Sequence, residues 1–398
     1  MIPYGRHSVS ALDALRVAKQ IYFSSLTQGP KIAELENAVA KYVGAKYAVA
    51  VSSATAGLHL ALLALNLPKK SEVLTSPISF VASSNAVLYC DLIPRFIDID
   101  PNILCISEEL LLSEISKNNK VSALIPVHFA GYVMDLKKTY EASQAFNIKI
   151  VEDAAHAFGA KYSSGEMVGS CTYSDITVFS LHPVKTITAG EGGIITTNNF
   201  EIYQNLLSLR SHGINQFIQK NINDLLGKTN NIKNNWYHEM QYLGYHYRIT
   251  EIQATLALSQ LLKVDKFVKH RRSLTKLYKD LFSSSNLVKI YPNLNIDESS
   301  CHLLVIQIDF NSLNINRNQF MDKLKEFNIG TQVHYKPIPL NPYYKSLGYD
   351  VKNLPNTMAY YEKTLSLPLF YGLKIKQIKY ISKKVQKLIN SSANNFNN

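Results

Sequence analysis

Lys185 stands at the end of Ser180-Leu181-His182-Pro183-Val184-Lys185, a segment that follows the apolar run Ile176-Thr177-Val178-Phe179 and leads into Gly190-Glu191-Gly192-Gly193. The apolar run reads as a strand, which puts the lysine on a loop at its end. Upstream, Ile148-Lys149-Ile150-Val151 reads as a second buried strand and delivers Glu152-Asp153-Ala154-Ala155-His156 toward what should be the same sheet edge. A lysine amine can hold pyridoxal phosphate as a Schiff base, while a carboxylate keeps the pyridine nitrogen protonated so that the ring withdraws electrons. Lys185, Asp153 and His156 are therefore the candidate catalytic residues. Burial beside a positive coenzyme lowers the proton affinity of such a lysine, so that once freed it serves as general acid and base as well as anchor.

Each of these residues has a plainer reading. Asp153 after a strand is a candidate helix cap, and His156, one helical turn further on if a helix follows, is a candidate core histidine. Small polar groups mark a phosphate seat: Ser180 at one strand end, and Ala54-Thr55 where Ser52-Ser53-Ala54-Thr55 turns from a strand into a helix with its amides and positive dipole end outward. Phe80, in Ile78-Ser79-Phe80-Val81, is either a ring-stacking aromatic or core.

The two motifs together resemble the signature of the DegT/DnrJ/EryC1/StrS sugar-nucleotide aminotransferases, a Ser-x-His-x-x-Lys loop downstream of Glu-Asp-Ala-Ala-His. The resemblance extends to Leu26-Thr27-Gln28-Gly29-Pro30, Ser53-Ala54-Thr55, Pro77-Ile78-Ser79-Phe80-Val81-Ala82, Arg210-Ser211-His212-Gly213 and Gln332-Val333-His334-Tyr335-Lys336-Pro337-Ile338, so it covers nearly the whole chain. It is strongest toward members that aminate a UDP-linked 4-keto-6-deoxy-N-acetylhexosamine in pseudaminic acid biosynthesis. It implies a fold type I enzyme, with a large, mainly parallel-sheet coenzyme domain and a smaller C-terminal α/β domain. It further implies L-glutamate as amino donor and a cytoplasmic homodimer with shared active sites.

By the same resemblance His156 lies near the coenzyme 3-oxygen, Phe80 stacks on its ring, and Thr27, His334, Tyr335 and Lys336 face the substrate. The chain departs from the pattern in Gly244-Tyr245-His246-Tyr247-Arg248, where most members carry an asparagine that reaches the partner subunit's phosphate and this chain has His246. His246 or Arg248 is the candidate replacement. A related dehydratase branch has histidine in place of Lys185. The alternatives are an aminotransferase for another sugar or nucleotide and, from a different class, a non-catalytic binding or regulatory protein on the same fold.

The elements that must position these residues follow from periodicity. Short apolar runs at 47–51, 72–75, 95–99, 122–127, 148–151, 175–179 and 193–197, most separated by helical patterns, predict a helix-covered and mainly parallel sheet. Ile32, Leu35, Val39 and Tyr42 share a helical face that Gly44 ends. The spacing predicts one long helix over 250–282 linking two domains, 1–249 and 250–390, with a strand at 303–308 in the second and a disordered polar tail at 391–398. With 398 residues, 46% of them hydrophobic, a large core is available. No apolar span reaches membrane length, and Arg6, His7, Asp13, Arg16 and Lys19 occupy the place of a signal peptide's apolar region. The four cysteines form no metal or redox pair, and the charge of +12 is scattered, which argues against nucleic acid and suits anionic ligands.

Overall fold

The computed structural model describes residues 1–214, 228–229, 232–234, 236–292 and 295–393. Seven strands form the main sheet: β1 (Tyr47–Val51), β2 (Glu72–Thr75), β3 (Ile93–Phe96), β4 (Val121–Ile125), β5 (Lys149–Asp153), β6 (Ile176–Ser180) and β7 (Gly193–Thr197). Their order is β1-β7-β6-β5-β4-β2-β3. Only β7 opposes its neighbours, pairing antiparallel with both β1 and β6. The other six strands therefore end at one edge. Helices separate most of these strands, as expected, but none lies between β5 and β6 or between β6 and β7, the last two being joined by the lysine loop.

Alternate residues along each strand enter two cores. Ala50, Leu74, Leu124, Ile150, Phe179 and Ile194 belong to one, and Val51, Val73, Ile125, Val151, Val178 and Ile195 to the other, so helices cover both faces. These helices include α1 (Ala11–Phe23), α2 (Pro30–Val43), α3 (Ala54–Ala64), α4 (Ala82–Tyr89), α5 (Glu108–Lys117), α6 (Lys137–Ala145) and α7 (Phe200–Arg210). Gly44 closes α2 in the left-handed conformation, φ 80°. At its other end α2 has no side-chain cap of its own. Glu251 supplies one from afar, accepting from the Lys31 and Ile32 amides at 2.9 and 3.0 Å.

The long helix expected over 250–282 is two, α8 (Glu251–Leu261) and α9 (Val264–Phe282), because the chain makes a tight turn in which the Lys263 amide donates to the Gln260 carbonyl at 2.9 Å. After a two-residue-per-strand hairpin, β8 (Lys228–Thr229) and β9 (Ile232–Lys233), a second sheet follows: β10 (Val288–Tyr291), β11 (Leu304–Ile308) and β12 (Thr364–Leu367), all antiparallel. With α9, α10 (Arg317–Glu326), α11 (Pro342–Ser346), α12 (Pro355–Lys363) and α13 (Ile375–Ala393) it makes up the C-terminal part, whose own core contains Tyr278, Ile306, Phe320, Ile378 and Val385. Residues 391–393, expected in the tail, complete α13, and 394–398 lie outside the described residues.

Candidate active site

Because six strands end together, the segments after β1, β2, β4, β5 and β6 meet around one cavity of about 710 Å³. The turn after β1 brings Ser53, Ala54 and Thr55; the segment after β2 brings Ser79 and Phe80; β5 brings Asp153 and His156; β6 brings Ser180 and Lys185. The C-terminal part closes the cavity with His302, His334, Tyr335 and Lys336.

Lys185 is partly buried, and its loop is pinned by its own amide donating to the His182 carbonyl at 2.9 Å. Burial pushes its amine down to about 8, against the opposing pull of the Asp153 charge. An amine in that range is nucleophilic and exchanges protons near neutral pH.

Asp153 ends β5 and is buried. Its Oδ2 accepts from Ser83 Oγ at 2.6 Å and its Oδ1 from the Ala155 amide at 3.1 Å. No helix follows, so Asp153 is not a helix cap. The chain instead turns, the Ala157 amide donating to the Ala154 carbonyl at 2.8 Å, and this turn rather than a helical repeat brings His156 to the cavity. The preceding acid points the other way, as strand alternation demands. Glu152 is fully buried and takes hydrogen bonds from Thr177 Oγ1 at 2.8 Å, Ser174, Tyr162 and His128 Nε2 at 2.6 Å. Burial alone would raise its pKa, but the His128 contact and these hydroxyls hold it below the ordinary value. Met134 donates its amide to His128 Nδ1 at 3.2 Å, which leaves the ring proton on Nε2, facing Glu152.

His156 is buried, with Nε2 3.2 Å from the Tyr335 hydroxyl and its carbonyl accepting from Ser300 Oγ at 2.6 Å. Its Nδ1 is buried and has no partner among the described residues. Burial, and then the charges of Lys185 and His334, push its pKa well below the usual imidazole range. The His302 ring packs against it at 4.4 Å between centroids and is pushed down for the same first reason. His334, whose Nδ1 lies 2.8 Å from Ser366 Oγ, is pushed down to about 4 by burial and Lys185. The site is thus walled by neutral imidazoles.

Opposite them lies an anion seat. Ser53 caps α3, accepting from the Ala56 amide at 3.1 Å, and the amides of Ala54 and Thr55 open the helix where no preceding turn offers them an acceptor. Ser180, buried beside this turn on the same cavity wall, accepts from the His182 amide at 3.3 Å. Glycine is obligatory at the start of β7: a Cβ at Gly193 would lie 2.6 Å from the Ser53 carbonyl. Phe80 is 60% exposed and lines the cavity, so it is not a core residue. A reactive lysine, a carboxylate, an orphaned imidazole nitrogen and a helix N-terminus around one cavity fit pyridoxal phosphate.

Other expected residues lie apart. Thr27 and His246 are exposed and do not line this cavity, and Arg248 lines a second one with Gln28, Gly29 and Arg210. Conversely, His302 and Tyr4 line the cavity without any sequence signal at the lysine or acid motifs. His302 arrives through tertiary bonds, its amide donating to Ala130 O at 2.8 Å and that of Ser300 to Gly131 O at 2.9 Å.

Fold and site define a pyridoxal-phosphate-dependent fold type I sugar aminotransferase. The chain belongs to the DegT/DnrJ/EryC1/StrS aminotransferase family, whose profile matches residues 11–386. It is 33% identical over 384 residues to the UDP-4-amino-4,6-dideoxy-N-acetyl-beta-L-altrosamine transaminase of Campylobacter jejuni strain 81-176, covering 96% of each chain. Among solved structures it resembles Helicobacter pylori PseC, an aminotransferase involved in pseudaminic acid biosynthesis, with a TM-score of 0.87, 27% identity and 98% and 99% of the two chains covered. A putative sugar aminotransferase of Streptococcus pneumoniae, solved in its PLP form, matches with a TM-score of 0.86 at 27% identity over 98% of this chain and 99% of its own.

Proposed function

We propose that this protein moves an amino group from L-glutamate to C4 of a UDP-linked 4-keto-6-deoxy-N-acetylhexosamine, the amination step of pseudaminic acid biosynthesis, as a cytoplasmic homodimer. The observation that carries the reading is the cavity joining Lys185 and Asp153 to His334, Tyr335 and Lys336, in a chain similar over its length to the Campylobacter and Helicobacter enzymes. We read 1–249 as an N-terminal arm and coenzyme domain and 250–390 as the linking and small domain.

When bound, pyridoxal phosphate supplies an electron-withdrawing ring that stabilises charge at the carbon losing or gaining a proton. Lys185 Nζ would hold the coenzyme and, when free, would take and return that proton, a role suited to an amine that burial pushes down to about 8. Asp153 would retain the proton on the ring nitrogen. His156, neutral in its dry surroundings, would serve the 3-oxygen. Phe80 would stack on the ring, and Ser180 with the Ala54 and Thr55 amides would bind the phosphate. On the substrate side His334, Tyr335 and Lys336 would bind sugar and diphosphate; Thr27, outside this cavity, would have to act from the partner subunit. His246 or Arg248 would serve the partner subunit's phosphate, since neither lines this chain's own cavity.

The test loads the protein as its pyridoxamine form and offers the β-L-arabino 4-keto sugar beside its C5 epimer of D-xylo configuration. Preference for the first is expected. Preference for the D-xylo compound overturns the pseudaminic assignment and leaves the aminotransferase class standing.

A further inference from the structure

Asp153 does not stand alone. Ser83, fully buried on the first turn of α4, places Oγ 2.6 Å from Asp153 Oδ2, and Ser79 Oγ lies 2.7 Å from Ser83 Oγ. An ionised carboxylate has no proton to give, and the Phe80 carbonyl, the other acceptor near Ser83 Oγ, is farther at 3.4 Å, so the Ser83 hydroxyl hydrogen goes to Asp153 and the one between the two serines comes from Ser79. The direction of the chain is fixed: Ser79 to Ser83 to Asp153. Ser79 lines the cavity beside Phe80, whereas Ser83 lies behind it, out of reach of any ligand. With the Ala155 amide on Oδ1, each carboxylate oxygen accepts one hydrogen bond from among the described residues, and together the two hold the group in a single orientation.

We infer that Ser83 is a positioning residue for amino transfer, oriented by Ser79, and that its hydroxyl keeps the Asp153 carboxylate aimed at the coenzyme ring nitrogen so that the proton they share stays on nitrogen. The inference rests on the role proposed for Asp153. It also explains why one short segment carries both the aromatic at the ring and the buried serine. Ser79-Phe80 and the first turn of α4 form a single rigid corner, fastened from the far side by Ser84 Oγ, 2.6 Å from the Tyr344 hydroxyl. A hydrogen bond to a charged group in such a place is among the stronger ones, and losing it leaves the carboxylate free to rotate.

The experiment reads the coenzyme rather than turnover alone. Holoenzyme is prepared with pyridoxal phosphate labelled with ¹⁵N in the ring, as wild type, Ser83→Ala, Ser83→Thr, Ser79→Ala and Asp153→Asn, and the ring-nitrogen shift is measured with the single-turnover rate on L-glutamate. Ser83→Thr keeps the hydroxyl and should match wild type. Ser83→Ala should move the shift toward the unprotonated position and slow the half-reaction about tenfold, with Ser79→Ala between them. A wild-type shift and rate in Ser83→Ala, alongside a lost ring proton in Asp153→Asn, overturns the inference and leaves the role of Asp153 intact. A wild-type shift in Asp153→Asn overturns that role itself, and the inference with it. If Ser83→Ala does not fold, Ser79→Ala and Ser83→Thr still decide: the first must displace the shift and the second must not.

Discussion

The Tyr335 hydroxyl lies 3.2 Å from His156 Nε2, and the two rings are nearly parallel, 18° apart with centroids separated by 6.2 Å. One residue comes from the turn after β5 in the large sheet and the other from the C-terminal part, so this contact joins the two halves at the reacting edge of the site. Burial keeps both groups uncharged: the Tyr335 phenol is pushed up, and the His156 imidazole is pushed down.

Asp153→Asn should bind coenzyme yet slow the half-reaction at least about a hundredfold, on the order of 3 kcal/mol of transition-state stabilisation. An amide cannot hold the ring nitrogen protonated. The check is a single-turnover spectrum with L-glutamate, and a near-wild-type rate would reduce Asp153 to a structural residue of the β5 turn. His156→Ala should be milder.

The depressed histidines, His156, His302 and His334 at the site and His59 on α3, make the fold acid-sensitive. Burial and the Lys185 charge push folded His334 down to about 4 from the ordinary 6.5 of an unfolded chain, so between these values the unfolded chain binds more protons. Stability from this group is present above 6.5 and falls as the pH drops toward 4. His156 and His302 act in the same direction. Urea midpoints for the apoprotein at pH 7 and pH 5 should differ, the lower pH being less stable, and replacing His334 with Gln should shrink the difference.

Gly193→Ala should weaken coenzyme binding, because the new methyl group meets the Ser53 carbonyl at 2.6 Å and displaces the turn proposed to seat the phosphate. Titration with pyridoxal phosphate should give a dissociation constant raised at least about tenfold, with far-ultraviolet dichroism little changed. An unchanged constant would remove the β1–α3 turn from the phosphate seat.

A shared site predicts complementation. Mixing inactive Lys185→Ala with an inactive His246/Arg248 double variant should restore part of the activity once subunits exchange, because one site of each heterodimer then collects both lesions and the other neither. No recovery despite demonstrated exchange counts against the cross-subunit role of His246 and Arg248.

Much of this was legible in the chain because punctuation was strong where it mattered. β1, β2 and β7 have the expected bounds, each an apolar run framed by turn residues. β3 is displaced from 95–99 to Ile93–Phe96: the Ile97 amide still reaches the Thr75 carbonyl at 3.1 Å, but there β2 ends, and Ile99 pairs instead with Ile106 in an isolated antiparallel bridge. Periodicity ran unbroken through Leu262 and Lys263, and a tight turn that costs no apolar position leaves no trace in it. His302 and the Ser79–Ser83 chain were out of reach for another reason. Their proximity to His156 and Asp153 arises from contacts made across 144 and 70 residues of chain, by Ser300 and Ser83 respectively, and spacing along a sequence records only local neighbours.

The central claim is that Lys185 carries the coenzyme. Borohydride reduction of the yellow holoenzyme followed by peptide mapping tests it most directly: the adduct should lie on Lys185 alone, and Lys185→Ala should fold, take no adduct and lose turnover. An adduct on any other lysine, or turnover retained in Lys185→Ala, would contradict the account.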